Sequence, residues 1–286
     1  MIESAQRSAD WRTDIIRFAT DKTGINEQRV AAVIDTCAAE VPIGRELIQD
    51  LLKPGIRVLE VGAGIGLLAQ DLLREGVNVR GLEPGANGFS DSARIGAAVR
   101  EFSGTDLKVI DKEASGLTPE TDGEFDLIFS VNVLEHMPDL ERNLAGMLAV
   151  LAPDGVMIHT CPNYHVPYEP HYGLPLVPGF PQAVTYLKPR LRDEELWRSL
   201  NFITASRVER FARNAGLDID FAPGTMHETI QRIDYDPQFS QRHSGTATRI
   251  YGTLKSLGLI GALRYLPPAL ATPMRFSYRR SQRMGQ

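Results

Sequence analysis

A glycine-rich turn between two acidic residues is the part of the sequence best suited to chemistry. Glu60 precedes Gly62, Gly64 and Gly66 in the run EVGAGIG, and Glu83 ends the next predicted strand, NVRGLE. Glycines allow a sharp turn and let a ligand lie against the backbone, and a carboxylate can accept hydrogen bonds from both hydroxyls of a ribose. This spacing predicts a site for a nucleoside-bearing cofactor at the carboxyl ends of two parallel strands.

The position of the third glycine distinguishes between the classes of nucleoside cofactor. Turns that bind dinucleotides have a glycine three residues after the second one, where the helix packs and meets the pyrophosphate. Here Leu67 occupies that position, and the third glycine comes earlier, at Gly66. The carboxylate of Glu60 would repel a pyrophosphate but suits the positively charged amino acid end of S-adenosylmethionine. The residues therefore favour S-adenosylmethionine over NAD(P).

The segment from Arg57 to Pro162 resembles the core of class I S-adenosylmethionine-dependent methyltransferases, in the branch of small-molecule and glycan O-methyltransferases. Its first motif matches residues 60–66, its strand-four turn matches the run VNVLEHM, and its turn before strand five matches LAPDG at 151–155. The resemblance implies a Rossmann-like fold. It also implies a cofactor site, formed by Glu60, Gly62, Ala63, Gly64, Gly66, Glu83, Pro84, Glu113, Ala114, Val131 and Asn132. Within that site Glu60 would face the amino acid end, Glu83 the ribose, and the Glu113–Ala114 pair the adenine, with Asp111 as an alternative adenine contact.

An oxygen acceptor must lose its proton during methyl transfer, so we expect a general base. His136 follows the carboxyl end of strand four, where open α/β sheets bind their ligands, and some members of the resembled family have a Glu-His pair beside the transferred methyl. His165 and His171 are the alternative bases. A purely structural role for Glu135–His136 at the start of a helix is the competing interpretation.

A proline-rich loop carries the two alternative histidines. Residues 162–181 contain six prolines and four aromatic residues, which excludes a helix and a central strand. Because ligand-binding residues concentrate on such loops, we predict a substrate-binding role for Tyr164, Tyr168, Glu169 and Tyr172. The alternative is a rigid cover over the edge of strand five.

The rest of the sequence alternates between predicted strands and predicted helices, and these elements position the candidate site residues. The alternation predicts a doubly wound, mostly parallel α/β sheet with helices on both faces. We expect an N-terminal helical cap over 1–53, the cofactor-binding core with its substrate loop over 54–224, and a basic helical extension over 225–286 whose last ten residues are loose. The predicted strands cover 57–62, 78–83, 107–110, 126–131, 156–160 and 217–221.

The composition indicates the cell compartment of the protein and argues against some kinds of binding site. Cys37 and Cys161 are the two cysteines of the chain and cannot form a disulfide framework, and the N-terminal run MIESAQR lacks the pattern of a signal peptide. We therefore expect a cytoplasmic protein. Asp126, Asn132 and Glu135 are spaced too loosely to predict a metal site. The acidic pI near 5.7 disfavours nucleic-acid binding.

The C-terminal part differs in charge from the rest of the chain. From Gln241 onward there are eight basic residues and no acid, an asymmetry that indicates a partner. An anionic membrane surface, a phosphorylated substrate and the acidic body of the same chain are the three alternatives. The first would place the protein peripherally at the inner membrane surface.

Together these patterns predict a methyltransferase that uses S-adenosylmethionine and methylates a hydroxyl of a sugar, a glycan or another small molecule. A quinone, phenol or lipid O-methyltransferase is the first alternative. An NAD(P)-dependent oxidoreductase and a non-catalytic cofactor-binding protein are further alternatives. The sequence leaves the acceptor and the oligomeric state open.

Overall fold

The computed structural model describes residues 9–85, 90–243 and 245–281. The N-terminal residues 1–7 considered for a signal peptide, and Arg283 of the basic tail, lie outside the described residues. The chain divides into two compact units. The first comprises residues 1–131 and 143–152, and the second comprises residues 132–142 and 153–286.

Four strands form the sheet of the first unit: β1 (Arg57–Val61), β2 (Asn78–Leu82), β3 (Val109–Ile110) and β4 (Phe125–Val131). They lie in the order β3-β2-β1-β4, and each neighbouring pair is parallel. Apolar side chains of β1 and β4 are almost fully buried, as expected for parallel strands covered on both faces.

The helices of the first unit begin with a long N-terminal pair. Asn26 caps the second helix by accepting hydrogen bonds from the amides of Gln28 and Arg29. Buried side chains of this pair, including Ile15 and Ile34, form one core cluster with Ile65 and Ile95. The helices are α1 (Ala9–Thr23), α2 (Glu27–Ile48), α3 (Leu67–Arg74), α4 (Ser90–Ser103), α5 (Pro119–Asp122) and α6 (Leu140–Ala149), of which residues 140–142 belong to the second unit.

The second unit contains a hairpin of β6 (Tyr168–Glu169) and β7 (Leu174–Pro175), and the strands β5 (Leu151–Cys161), β8 (Leu217–Phe221) and β9 (Met274–Arg280), although residues 151–152 of β5 belong to the first unit. The last three lie in the order β5-β9-β8, and β9 is antiparallel to both neighbours. Its helices are α7 (Val184–Leu187), α8 (Glu195–Ser199), α9 (Ala205–Ala215), α10 (Thr225–Tyr235), α11 (Pro237–Arg242) and α12 (Thr246–Ser256).

The prediction of a Rossmann-like, mostly parallel sheet is confirmed, since the seven strands β1–β5, β8 and β9 include one antiparallel strand. The expectation that the last ten residues are loose is wrong for Ser277–Arg280, which belong to β9. Met274, Phe276 and Tyr278 are buried at every second position, and this alternation is typical of a strand. Within the described part of the chain, no helix is both long and apolar enough to cross a membrane.

Candidate active site

The turn between β1 and α3 is built from backbone groups. Gly62, Gly64 and Gly66 have φ angles of 69°, 54° and 78°, a region that glycine adopts without strain. The amides of Gly62 and Ala63 both donate to the carbonyl of Leu82, at 2.8 and 3.2 Å. The turn is therefore tied to the end of β2, the neighbouring parallel strand.

Glu83, the predicted ribose contact, also holds the turn. Its Oε2 atom accepts a hydrogen bond from the amide of Gly64 at 2.8 Å. Burial raises the pKa of Glu83, although the bond from Gly64 opposes this effect. A side chain at Gly81 would bring a Cβ within 2.9 Å of the Cβ of Ala63, so the close approach of β2 to the turn requires glycine there.

Glu60 fits the charged end of the predicted cofactor. Burial raises its pKa to about 8. Among the residues that the structure describes, no hydrogen-bond partner reaches its buried Oε2 atom. A buried carboxylate oxygen without a partner is costly, and an ammonium group would satisfy it. The residues of this turn therefore fit S-adenosylmethionine, whose amino acid end carries such a group.

The loop predicted to contact adenine is packed against α6. Ala114 is buried, and a Cβ at Gly146 would lie 2.0 Å from its carbonyl oxygen, so α6 requires glycine at this point. The amide of Ser115 donates to Oδ1 of Asn143 at 3.0 Å. Sequence reasoning did not identify Asn143 or Gly146, because one asparagine and one glycine in a helix carry no distinctive pattern. Glu113 is exposed.

The two other acids considered in the first unit have structural partners. Asp111 accepts a hydrogen bond from the amide of Gly85 at 2.9 Å. The guanidinium of Arg57 donates to both carboxylate oxygens of Asp126, at 2.7 and 3.0 Å, and this contact lowers the pKa of Asp126. Asp126 thus stabilises the pair formed by β1 and β4.

In the second unit, a short 3-10 turn at Leu134–His136 follows β4. Asn132 lies between β4 and this turn and has a φ of 52°, in the left-handed region, a conformation that asparagine tolerates better than most residues. The side-chain amide of Asn201 donates to the carbonyls of Leu134 and Met137, at 2.7 and 2.9 Å. This contact fixes the turn that carries Glu135 and His136, and it had no signal in the sequence.

The protonation of His136 follows from its neighbours. Its Nδ1 atom lies 2.8 Å from the hydroxyl of Ser199, and that hydroxyl donates its hydrogen to the carbonyl of Leu196 at 2.8 Å. Ser199 must therefore accept from Nδ1–H. Burial, assisted by the nearby His171, lowers the pKa of His136 to about 3. The ring is neutral at physiological pH, and its lone pair is on Nε2.

His171 is paired with a buried carboxylate. Its Nδ1 atom lies 2.6 Å from Oε1 of Glu169, which is fully buried in the hairpin. Burial alone would raise the pKa of Glu169, but hydrogen bonds from His171 and from the amide of Tyr172 lower it overall. An ionised carboxylate accepts hydrogen bonds and cannot donate, so Nδ1 of His171 carries a hydrogen. The rings of His136 and His171 are 5.3 Å apart between centroids.

The other residues predicted on the proline-rich loop have different hydrogen-bond partners. The hydroxyl of Tyr164 donates to Glu169 at 3.2 Å, which brings it to the same carboxylate as His171. Tyr172 donates to Glu194 at 2.7 Å, and Tyr168 lies 2.6 Å from Nδ1 of His243. His165 is exposed on the loop and is not part of the group formed by Glu135, His136 and His171.

A cavity of about 540 Å³ lies further along the same unit. The guanidinium of Arg192 lies 5.0 Å from the ring centroid of Tyr186 and donates to the hydroxyl of Thr185. The aromatic faces and guanidinium groups of this cavity suit a ring-shaped ligand with polar or anionic substituents. Phe180 belongs to the predicted substrate loop, and the other six lining residues were not predicted from the sequence. The cavity is lined by Phe180, Gln182, Thr185, Tyr186, Arg192, Trp197 and Arg198.

The parallel sheet and the glycine turn define a Rossmann-like domain for a nucleoside cofactor. Residues 26–220 match the profile of a family described as a methyltransferase domain, and the chain belongs to that family. The sequence is 33% identical over 220 residues to an uncharacterized protein of Mycobacterium tuberculosis, covering 72% of this chain and 74% of that protein. It is 28% identical over 179 residues to a ubiquinone biosynthesis O-methyltransferase of Cupriavidus pinatubonensis, covering 63% and 67%.

Solved structures agree on the fold. An S-adenosylmethionine-dependent methyltransferase from Mesorhizobium loti has a TM-score of 0.50 at 17% identity, with coverage of 85% of this chain and 98% of that one. Phosphoethanolamine N-methyltransferase 2 of Haemonchus contortus, in complex with S-adenosylhomocysteine, has a TM-score of 0.50 at 16% identity. The match covers 92% of this chain and 58% of the Haemonchus chain. The predicted resemblance to S-adenosylmethionine-dependent methyltransferases is confirmed.

Proposed function

We propose that this protein transfers a methyl group from S-adenosylmethionine to a hydroxyl oxygen of a sugar, a glycan or another small molecule. The observation that carries the oxygen acceptor is the group of Glu169, His171 and His136 in the second unit. The buried carboxylate orients one imidazole, and a second neutral imidazole lies beside it. Such a group is suited to removing a proton from a hydroxyl.

The first unit supplies the cofactor side of the reaction. The amides of the glycine turn and the carboxylate of Glu83 suit the ribose end, and Glu60 suits the ammonium of the amino acid end. S-adenosylmethionine contributes a methyl group on a positively charged sulfur. The acceptor oxygen attacks the methyl carbon, the carbon–sulfur bond breaks, and the electron pair neutralises the sulfonium to give a thioether.

The second unit supplies the acceptor side. A sugar hydroxyl is far less acidic than a phenol, whose pKa is about 10, so it depends more strongly on assistance in losing its proton. The cavity lined by Tyr186, Trp197 and two arginines offers aromatic faces and cationic groups, which suit a sugar with an anionic substituent. These features support the glycan-type acceptor.

A phenol or quinol acceptor is the second candidate. The similarity to the ubiquinone biosynthesis O-methyltransferase of Cupriavidus pinatubonensis favours it. A phenol needs less help in losing its proton, so replacing His171 should matter less for this acceptor. The size of the His171→Ala effect therefore separates the two acceptor classes.

The decisive experiment supplies methyl-labelled S-adenosylmethionine with a panel of sugars, glycolipids and phenols, and identifies the labelled product by mass spectrometry. We expect an O-methyl ether of a hydroxylated acceptor. His171→Ala should reduce turnover about 10²- to 10⁴-fold, with cofactor affinity unchanged. His227→Ala, a histidine on α10, is the matched control and should leave turnover unchanged. Label on nitrogen or sulfur, or no transfer by protein that binds the cofactor, would contradict the proposal.

For the basic C-terminal region, we propose contact with an anionic membrane surface. Arg249 and Arg264 are exposed, whereas Lys255 is paired with Asp234 at 2.7 Å. Apolar side chains are exposed in the same segment, namely Ile250, Leu257, Leu259, Tyr265 and Leu270. Cations together with exposed apolar groups are typical of peripheral membrane contact. Cosedimentation with phosphatidylglycerol vesicles should be lost in the double variant Arg249→Glu, Arg264→Glu, and failure of the unaltered protein to bind them would refute this contact.

A further inference from the structure

Three metal-ligating side chains come together in the second unit. Glu135, His136 and His171 each offer one ligand atom, and these atoms all lie within 4.8 Å of one another. Oε1 of Glu135 is 4.0 Å from Nε2 of His136. Glu135 is fully buried and the two histidines are partly buried, so the group is shielded from bulk water. Two imidazoles and one carboxylate form a ligand set that proteins commonly use for transition metals.

Hydrogen bonds set both imidazoles in the tautomer that a metal requires. Nδ1 of His136 donates to Ser199, and Nδ1 of His171 donates to Glu169. Nδ1 of each ring thus carries a hydrogen, which leaves Nε2 as the nitrogen that can bind a metal. A histidine ligand usually donates its second nitrogen to a carboxylate or another oxygen, which fixes the ring and strengthens the ligand. Both histidines have such an oxygen partner.

The surrounding contacts hold these ligands in place before any ion binds. Ser199 is itself oriented by its bond to the carbonyl of Leu196, and Asn201 holds the turn of Glu135 and His136 through two carbonyls. Glu169 is fixed by three donors, which are His171, Tyr164 and the amide of Tyr172. Ligand atoms at about 2.1 Å from a tetrahedral metal are about 3.4 Å apart. Small side-chain rotations would therefore bring all three atoms to bonding distance.

We propose that Glu135, His136 and His171 bind one divalent transition-metal ion, of the Zn²⁺ or Mn²⁺ type, which also coordinates the acceptor hydroxyl. This inference rests on the proposed hydroxyl methylation and deepens it. Mg²⁺ and Ca²⁺ prefer oxygen ligands alone, so two imidazoles favour the transition metals.

Coordination gives the acceptor oxygen its reactivity. A bound divalent ion lowers the pKa of a coordinated water by many units, to about 7 in favourable sites, and acts on a hydroxyl in the same way. With both imidazoles bound to the metal, the hydroxyl proton is released to solvent as the acceptor enters and coordinates, instead of passing to an imidazole, and the metal-bound oxygen then attacks the methyl carbon of the sulfonium. The metal keeps its oxidation state, and the thioether product takes the electron pair of the broken carbon–sulfur bond.

Metal binding can be measured apart from activity. The full-length protein is stripped with a chelator, and Zn²⁺ and Mn²⁺ are titrated by calorimetry, with the bound metal counted by mass spectrometry. We expect one equivalent per chain. His171→Ala should weaken binding at least about 100-fold, and Glu169→Gln, which alters only the orienting partner, about 10- to 100-fold. His227→Ala is the matched control and should bind as the unaltered protein does.

The outcomes separate this inference from the proposed function. The metal site is refuted if the unaltered protein binds metal no more tightly than the His171→Ala variant does. It is also refuted if the stripped protein methylates the hydroxyl at the full rate. Protein that binds both metal and S-adenosylmethionine but methylates no hydroxyl would instead refute the proposed function and leave the metal site standing. Circular dichroism and the thermal shift caused by S-adenosylmethionine confirm that each variant is folded. Glu135→Gln, at a fully buried site, is a second variant that removes a ligand oxygen.

Discussion

The cofactor turn and the histidine group are built in opposite ways. The turn comes from one short stretch, residues 60–66, together with the end of the next strand. Backbone amides of the turn make the hydrogen bonds that join the two. The histidine group draws side chains from the 134–136 turn, the β6–β7 hairpin, and the Ser199 and Asn201 positions.

This difference has consequences for what each region tolerates. A site made of backbone depends on φ angles and on the absence of side chains, so additions of one methyl group should damage it. A site made of side chains depends on hydrogen bonds that hold each group in a given orientation, so removal of a distant donor should damage it. Substitutions of the two kinds should therefore separate cofactor binding from acceptor activation.

The largest effect is expected at Gly146, where α6 touches the loop of Ala114. A Cβ there would lie 2.0 Å from the carbonyl oxygen of Ala114, so Gly146→Ala forces the two segments apart. We expect a loss of about 3 kcal/mol in the free energy of unfolding, the upper end for overpacked sites. Gly252→Ala in α12 is the control, because no atom lies within 4 Å of its Cβ position. It should stabilise by about 0.5–1 kcal/mol, and urea unfolding measures both variants.

Gly64→Ala should impair the cofactor turn specifically. The residue has φ of 54°, and its Cβ would meet the sulfur of Cys37 at 3.3 Å. Backbone strain of about 1–3 kcal/mol should weaken binding of S-adenosylmethionine roughly 10- to 100-fold by calorimetry. Gly104→Ala imposes a similar φ, 60°, with no atom within 4 Å of the Cβ. Equal losses of affinity in both variants would show that the turn has no special role.

Asn201→Ala tests the side-chain region. It removes two hydrogen bonds to the turn of Glu135 and His136, each worth about 0.5–1.5 kcal/mol. We expect a loss of about 2 kcal/mol in stability and a clear fall in turnover, with affinity for S-adenosylmethionine unchanged. A parallel fall in cofactor affinity would contradict the separation of the two regions.

The same contrast explains what the sequence could predict. The glycine turn, Glu83 and the parallel strands are encoded by contiguous patterns, so they could be identified from residue order alone. His136 and His171 were each expected as bases because of their chemistry. Their meeting with Glu135, and the roles of Ser199 and Asn201, depend on contacts across more than 30 residues of chain, for which the sequence has no local pattern.

Two other features were missed, for different reasons. The last ten residues were expected to be loose, but the buried positions of β9 alternate as in a strand, and these are Met274, Phe276 and Tyr278. Asn143 and Gly146 look like ordinary helix residues until the loop of Ala114 is packed against them. The alternation in β9 is a local signal that the prediction overlooked, whereas the roles of Asn143 and Gly146 depend on tertiary contacts.

Measured per pH unit, the smallest changes are expected in the dependence of stability on pH, which has opposite signs in the two units. The folded-state pKa of Glu60 is raised from 4.5 to about 8 by burial, so its contribution is complete below pH 4.5 and is lost as the pH rises towards 8. The pKa of His159, fully buried in β5, is lowered by burial from 6.5 to about 3, so its contribution is complete above pH 6.5 and is lost as the pH falls towards 3.

Each group should contribute a slope of up to about 1.4 kcal/mol per pH unit, and His136, whose pKa burial also lowers to about 3, adds to the slope of His159. Unfolding by urea between pH 3 and 9 should therefore show a decline in stability above pH 6.5 that Glu60→Gln removes, and a decline below pH 6.5 that His159→Gln makes shallower. S-adenosylmethionine should also remove the alkaline decline, because its ammonium group stabilises the ionised Glu60. If the cofactor leaves that decline unchanged while Glu60→Gln abolishes it, Glu60 does not contact the amino acid end.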